Sequence, residues 1–473
     1  MKNVIRLWLL LLVLLPVMLF AQTTFSVDPN KGYWTVSSGI QSLSRITSSL
    51  NGQNILLHAK VEKSCYRLSV DGLEVTSRFK TVHTQWAELS VSVHNPTSDT
   101  LFITSFEPLD AGFAQALRGA RSEDLNIMWE SGIYDFGWAK DHESHYYCAL
   151  YSDKDKTGPA WMLTYRPPQL WTAMIKKAGD NLTAFINFHG RKFPVDPGET
   201  ITFDPLLLST QFTTMEGWQA IGKMYKPAMP VAMAVQHSGY NTWDFFRGQI
   251  SSQELQRVLA DLKLFNNANK TLLRYFTLDD GWFPQRGSWE FDVTKFPEGD
   301  FGWAKTVRDA GMIPGVWIAP FWSNKEKVDE FGMNVLEEVP DHVIQYRVDL
   351  SDPNVRKYVI DRFRKLSQAR YKYFKIDFLA LAYTDKPYKY SKFPPERIIR
   401  EFIQEIRNAI GNDTFLLGCS TVVAPCAMIC DAARIMSDIT ENRNVTKEIY
   451  RHIAYRYWMN GNLFITDPDF FCG

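Results

Sequence analysis

Cysteine is scarce in this chain: Cys65, Cys148, Cys419, Cys426, Cys430 and Cys472 are all there are in 473 residues, too few for a disulfide scaffold. Cys419, Cys426 and Cys430 cluster, but no histidine lies at metal-ligand spacing from them. Buried thiols or a local disulfide are therefore expected there rather than a structural zinc. Net charge is also missing, since 52 Lys and Arg balance 52 Asp and Glu. With no polybasic run, the electrostatic footprint of a nucleic-acid binder is absent. No apolar run beyond residue 20 is long enough to cross a bilayer, and no glycine-rich phosphate loop occurs.

What is present begins with the N-terminus. Lys2 and Arg6 precede the apolar run Leu7 to Phe20, and Ala21-Gln22 offers a small-residue cleavage point, so residues 1–21 read as a signal peptide. A secreted or periplasmic, soluble mature protein is expected. No cysteine follows the cleavage point, so no lipid anchor is indicated. The composition, 45% hydrophobic and 22% charged, is that of a globular chain, and the length predicts two domains. Aromatics are plentiful, at 14% of residues, which suits sugar stacking and large β cores alike.

Residues 22–225 read as an antiparallel β-sandwich. Alternating stretches such as Trp86 to His94 and Leu101 to Phe106 are separated by turns at Asn95-Pro96 and Asp196-Pro197-Gly198, with no long helical period between. Residues 226–473 change character, with strand-like and helical runs alternating. Strands are predicted at Ser238 to Phe246, Leu272 to Asp279, Ile313 to Ala319, Tyr373 to Asp377, Phe415 to Gly418, Ala433 to Ser437 and Leu463 to Thr466. Helices are predicted from the capping box Ser251-x-x-Glu254, around Gly302 to Ala310, from Asp352-Pro353, around Glu396 to Ile410, and at Asn444 to Trp458. This is the pattern of a (β/α)8 TIM-type barrel, truncated after its seventh strand. A doubly wound sheet is the alternative, and the missing phosphate loop disfavours it.

The stretch Tyr371 to Leu379 places Lys375 and Asp377 on one face of a strand, at its C-terminal end. Alone, that pair could be a buried ion pair or a site. The other strand ends decide, because active residues of barrels sit there. They carry Asp279 and Asp280, Cys419, Arg434 and Asp438, then Asp467 and Asp469. Carboxylates at four strand ends are strange as core packing and point to a functional site. A metal-dependent barrel would want histidines there, and none of the nine falls at a strand end. Simpler roles compete at individual positions. Asp279 and Asp438 could cap helices, Asp467-Pro468-Asp469 reads as a structural turn, and Trp317 could be a sugar platform or a plug.

The motifs Ser238-Gly-Tyr-Asn-Thr-Trp243, Leu278-Asp-Asp-Gly-Trp-Phe283, Gly287-Ser-Trp289, Lys295-Phe-Pro297, Gly311-Met312, Gly315-Val-Trp317, Asp349-Leu-Ser-Asp-Pro353, Lys375-Ile-Asp377, Gly418-Cys-Ser420, Arg434-x-x-x-Asp438 and Thr466-Asp-Pro-Asp469 occur in that order. This ordered set resembles the glycoside hydrolase clan that holds the α-galactosidases, closest to family 36 with family 27 also similar. The resemblance implies Asp377 as nucleophile and Asp438 as general acid/base. It further implies Asp279 and Asp280 as ligands of the 4- and 6-hydroxyls, Lys375 of the 3- and 4-hydroxyls, and Arg434 of the 2-hydroxyl. Trp317 and Cys419 join the substrate-binding candidates, and the loop after Cys419 could wall off the 2-substituent.

The implied substrate is a terminal α-galactoside of an oligosaccharide or polysaccharide, with no cofactor. α-N-acetylgalactosaminidase, another α-glycosidase or transglycosidase, or an inactive carbohydrate-binding fragment are the alternatives. The chemistry is coherent. A retaining glycosidase needs two carboxyls about 5 Å apart, Lys375 would keep Asp377 ionised, and the acid/base must hold a proton near neutral pH. Three positions depart from the family pattern: Leu379 where Asn is usual, Thr421-Val-Val-Ala-Pro425 in place of a glycine-rich run, and Ala319-Pro320 in place of Glu-Pro.

Overall fold

Two kinds of sheet divide the molecule. The computed structural model describes residues 23–38, 41–62, 65–82, 85–112, 117–118, 125–131, 136–152, 159–225, 238–269, 273–341, 344–420, 422–436, 438–439 and 442–469. The signal-peptide assignment, Cys472 and Ser437 lie outside the described residues.

Up to Thr213 every described strand pairs antiparallel, in a nine-stranded and a ten-stranded sheet plus a small ribbon. Leu73–Val82 shows why. Its residues alternate buried and exposed over most of its length, and it pairs with Trp86–His94 residue by residue from Glu74↔His94 to Val82↔Trp86. The alternation gives each strand one apolar face, and those faces meet over Trp34, Trp161 and Leu163. The helix Thr214–Tyr225 buries Trp218, Ile221 and Tyr225 on this core.

The second half is one parallel sheet with strands in chain order: β1 (Gly239–Asn241), β2 (Tyr275–Leu278), β3 (Ile313–Ile318), β4 (Tyr373–Ile376), β5 (Phe415–Gly418), β6 (Ala432–Arg434) and β7 (Ile465–Asp467). Helices α1 (Ser252–Ala268), α2 (Gly299–Asp309), α3 (Pro353–Gln368), α4 (Pro395–Ile410) and α5 (Arg443–Tyr455) follow the strands. These are seven strands of a TIM-type barrel, and β1 and β7 are the sheet's edges among the described residues.

The helices form where the sequence predicts and for the stated reasons. The Ser251 side chain accepts from Glu254 N to open α1. Asp352 accepts from Asn354 N, with Pro353 at the first helical position, to open α3. In α4, Ile398, Ile399, Phe402, Ile403, Ile406 and Ile410 fall at helical spacing and are all buried.

Two expectations change. The first strand ends at Asn241, because its Oδ1 accepts from Trp243 N at 2.8 Å and a helical turn, Trp243–Phe246, begins. Between β3 and α3 the chain also makes an antiparallel ribbon, Trp322–Ser323 with Ile344–Val348 and Val335–Asp341. Val335–Asp341 carries two adjacent glutamates and a proline, which masks a strand signal in the sequence.

Sandwich and barrel share a core, since Val423, Trp458 and Leu463 belong to the same apolar cluster as Trp34 and Trp161. Two buried charged groups at this seam are matched. Arg456, just after α5, places Nη2 2.6 Å from Glu130 Oε1 with both side chains fully buried. Glu396 of α4 accepts from Thr172 Oγ1 at 2.7 Å and from Tyr146 Oη at 3.1 Å.

Candidate active site

The C-terminal ends of β2, β3, β4 and β5 and the loop after β6 bound a cavity of about 470 Å³. Asp377 stands just past β4 and is buried. Its Oδ2 accepts from Trp317 Nε1 at 2.9 Å. Its Oδ1 accepts from Phe378 N at 2.6 Å and Ser420 Oγ at 3.0 Å. Phe378 adopts φ +59°, a left-handed conformation rare for an aromatic residue and a form of strain found at functional sites. Burial pushes the Asp377 carboxyl up, but the Lys375 charge, the indole N–H, the Phe378 amide and Arg434 outweigh it and hold it below the usual carboxylate range.

Lys375 is buried one turn of the pleat away, and its Nζ lies 2.9 Å from Asp279 Oδ2. Burial works against its charge, yet Asp279 above all, and Asp377, keep it firmly protonated. Asp279 Oδ2 also accepts from Asn241 Nδ2 at 2.7 Å, and Oδ1 accepts from Asp280 N at 2.9 Å. Those bonds tie the ends of β1, β2 and β4 together, so Asp279 is not a helix cap here. Asp280 pairs with Arg286. The turn after them needs Gly281, at φ +114°, because a Cβ there would collide with the Gly248 carbonyl oxygen. Trp317 is buried with its ring edge on Asp377 and also lines the cavity.

The far side is built differently. Asp438 lines the same cavity, but its side chain is 57% exposed. Its Oδ1 accepts from Arg434 Nη1 at 2.9 Å. Arg434 is buried; its Nη2 lies 2.6 Å from Asp469 Oδ1, and its Nε lies 3.6 Å from Asp467 Oδ2. Asp469 Oδ2 accepts from Ile439 N at 2.8 Å. Burial pushes the Asp469 carboxyl up to about 7, against the pull of Arg434 and the Ile439 amide. Arg434, Asp467 and Asp469 line a second cavity of about 710 Å³ that opens between β1 and β7 and shares Lys375 with the first.

Of the residues singled out in the sequence, Asp279, Asp280, Trp317, Lys375, Asp377 and Asp438 therefore meet in one cavity. Arg434 touches Asp438 but lines the neighbouring cavity. Cys419 lines neither; it is buried, burial pushes its thiol up, and it lies against Asp377, which Ser420 also reaches. Ser420 has φ +52°, and this break in the side-to-side alternation accompanies two successive side chains on Asp377. Leu379 is fully buried, close beside Gly418, and does not line the cavity. Arg286, Trp243 and Phe378 line it without having been assigned a role from sequence. A basic residue six positions after Asp280, across a Gly-Trp turn, was the available signal for Arg286.

No family model matches the chain. Among curated proteins, it is similar to alpha-galactosidase 1 of Pediococcus pentosaceus, 24% identical over 132 residues that span 26% of this chain and 16% of that protein. Alpha-galactosidase Mel36A of Lactobacillus acidophilus is 26% identical over 132 residues, with the same coverage of 26% and 16%. The chain thus spans about a sixth of the length of the curated relatives it matches.

Among solved structures, the α-galactosidase TtGalA of Thermus thermophilus, in complex with p-nitrophenyl α-D-galactopyranoside, superposes with a TM-score of 0.59. It is 19% identical, covering 86% of this chain and 84% of that one. A variant of the family 36 α-galactosidase AgaA of Geobacillus stearothermophilus, in complex with 1-deoxygalactonojirimycin, gives a TM-score of 0.62 at 15% identity, covering 94% and 67%. The fold is shared with these enzymes, and the chain is similar to α-galactosidases of the family 36 type.

Proposed function

We propose that the chain is an exported, retaining glycoside hydrolase that removes terminal α-linked galactose from oligosaccharides or polysaccharides. The observation that carries this is a buried carboxylate kept ionised by a buried lysine and a tryptophan N–H, facing a cavity that a second, accessible carboxyl also lines. A nucleophile must be ionised, and an acid/base must reach both the leaving group and water. The Thermus enzyme has been solved with stachyose and the Geobacillus enzyme with raffinose, which supports an α-galactoside as the substrate class.

In the proposed cycle, an Asp377 oxygen attacks the anomeric carbon while the glycosidic C–O bond breaks and Asp438 gives its proton to the departing oxygen. Water then attacks the glycosyl-enzyme, losing its proton to Asp438, and the Asp377 carboxylate is released. Asp279, Asp280 and Lys375 hold the sugar hydroxyls, and Trp317 orients Asp377 while offering its face to the ring.

The test is release of nitrophenol from 4-nitrophenyl α-galactoside by the mature protein, with azide added to Asp377→Gly. Turnover by the native chain and a β-galactosyl azide from the variant, formed by a single inversion with azide in place of the carboxylate, support the reading. Sugar binding without turnover would replace it with a non-catalytic lectin-like role. Release of N-acetylgalactosamine in preference to galactose would move the activity to the sister specificity. Export is tested by N-terminal sequencing of protein recovered outside the cytoplasm, with Gln22 expected as the first residue.

A further inference from the structure

We propose that Asp469 is a positioning residue for Asp438, gripping the chain that carries it at two points; this rests on Asp438 being the proton donor. One Asp469 oxygen takes the Arg434 guanidinium at 2.6 Å, and that guanidinium holds Asp438 Oδ1 at 2.9 Å. The other oxygen takes the backbone N–H of Ile439, the next residue along, at 2.8 Å. The four groups close a ring, so Asp438 is fixed through its side chain and through its own backbone. Arg434 is the one hydrogen-bond partner of the Asp438 carboxyl among the described residues. Without it, an acid on a 57% exposed side chain would sweep several rotamers.

Two further features mark Asp469 as more than a turn residue. Its side chain is only 3% exposed, which is costly for a carboxyl unless its bonds are used. Its backbone sits at φ +80°, a strained setting for a non-glycine, held by Pro468 and by Asp467 Oδ1 accepting from Asp469 N at 3.0 Å.

The substitution Asp469→Asn keeps the shape but removes one acceptor, so one grip is lost. The readout is kcat/KM on two substrates: raffinose, whose leaving oxygen needs a proton, and 2,4-dinitrophenyl α-galactoside, whose leaving group needs none. The expected result is a loss of roughly tenfold to 100-fold on raffinose and little change on the dinitrophenyl substrate. Equal losses on both would reduce Asp469 to a structural residue and overturn the proposal. Asp438→Ala is the control and must show the same split, larger. If Asp438→Ala shows no split, the proton-donor assignment fails rather than the grip. Activity on the activated substrate reports folding directly, and Asp469→Ser is read the same way where the Asn variant does not fold.

An independent observation lies at the seam. A cleft of about 680 Å³ runs between residues 187–194 of the sandwich and 386–395 of the loop after β4. Its floor is aromatic (Trp171, Phe188, Phe393), and among the described residues no Asp or Glu lines it. Lys392 and Lys386 are neutralised by Asp196, Glu199 and Glu337. Arg191 and Lys389 donate to neutral oxygens, the Asp385 carbonyl and Asn334 Oδ1. These two and Lys192 have no carboxylate within ion-pair distance among the described residues, and Lys389 Nζ lies 5.2 Å from the centre of the half-exposed Tyr390 ring. Cations with no carboxylate at ion-pair distance among the described residues, set over aromatic surface, match a sugar bearing negative charge. We infer that this cleft binds an anionic saccharide chain.

Affinity electrophoresis in gels holding a sulfated galactan, polygalacturonate or neutral galactomannan tests it. Retardation by either anionic polymer alone, weakened at least roughly tenfold in Lys192→Glu/Lys389→Glu, supports the cleft. The two polymers distinguish sulfate from carboxylate. No retardation, equal retardation by the neutral polymer, or an unaffected double variant would overturn it.

Discussion

The two walls of the cavity hold their charges in opposite ways. On the β2–β4 side, Asp279, Lys375 and Asp377 are buried and held by short hydrogen bonds. On the β6–β7 side, the residue that faces the cavity, Asp438, is exposed, and the buried charges stand behind it. The difference follows from the work each side is proposed to do. A nucleophile gains from a fixed, dry, positively charged setting that keeps it ionised. An acid/base has to exchange protons with water and benefits from access, so its precision must be supplied from behind. One wall is preorganised by burial and the other by a scaffold.

Asp377→Asn attacks the buried wall at its centre. It should lower kcat on α-galactosides by on the order of 10⁴-fold or more while sugar binding by calorimetry persists. Retained turnover would dissolve the contrast altogether. Lys375→Met comes next, because it leaves Asp279 buried without its cation. It should cost about 3–5 kcal/mol of stability in denaturant unfolding, and a loss below about 1 kcal/mol would mean the pair is held less tightly than its 2.9 Å geometry implies.

Trp317→Phe removes one hydrogen bond to Asp377 and is read by pH. Against the upward push of burial, Lys375 and the indole N–H hold Asp377 below the ordinary carboxylate range. The stability this contributes is present above the unfolded carboxylate pKa and is lost as pH falls through the folded one. Losing the indole donor should move the acid limb of kcat/KM to higher pH, and an unmoved limb would assign the depression to Lys375 alone. The smallest effect belongs to the exposed wall. Asp438→Asn should change thermal stability by no more than about 0.5 kcal/mol, since its bond to Arg434 is open to solvent, even where turnover of raffinose collapses.

Much of this site is legible in the chain. The Lys375–Asp377 spacing puts both on one strand face, and Asp279-Asp280 and Asp438 fall at strand ends, so a reader who finds the strands finds those residues. Arg286 escapes because it lies beyond a turn whose geometry depends on Gly281 meeting Gly248, far along the chain. The contact of Ser420 with Asp377, beside that of Cys419, escapes because it depends on a single left-handed residue. Asp469 reads as a turn residue, which it is, and nothing local reveals that its two oxygens span Arg434 and Ile439. The ribbon of residues 322–348 escapes because charge and proline hide its period.

Residue order alone sets the alternation of strand and helix, the caps at Ser251 and Asp352, the change from antiparallel to parallel grammar near residue 225, and which strands end in carboxylates. Each of these depends on residues within a turn or two of one another, and short-range sterics and hydrogen bonding settle them. Which carboxylate is dry and ionised and which is wet emerges only when the sheet is assembled. So does the sharing of one arginine among three acids, and so do the seam cations that, among the described residues, have no carboxylate at ion-pair distance. Those outcomes depend on groups far apart in the chain meeting across a curved sheet, where burial and neighbouring charge, not local propensity, set what each side chain can do.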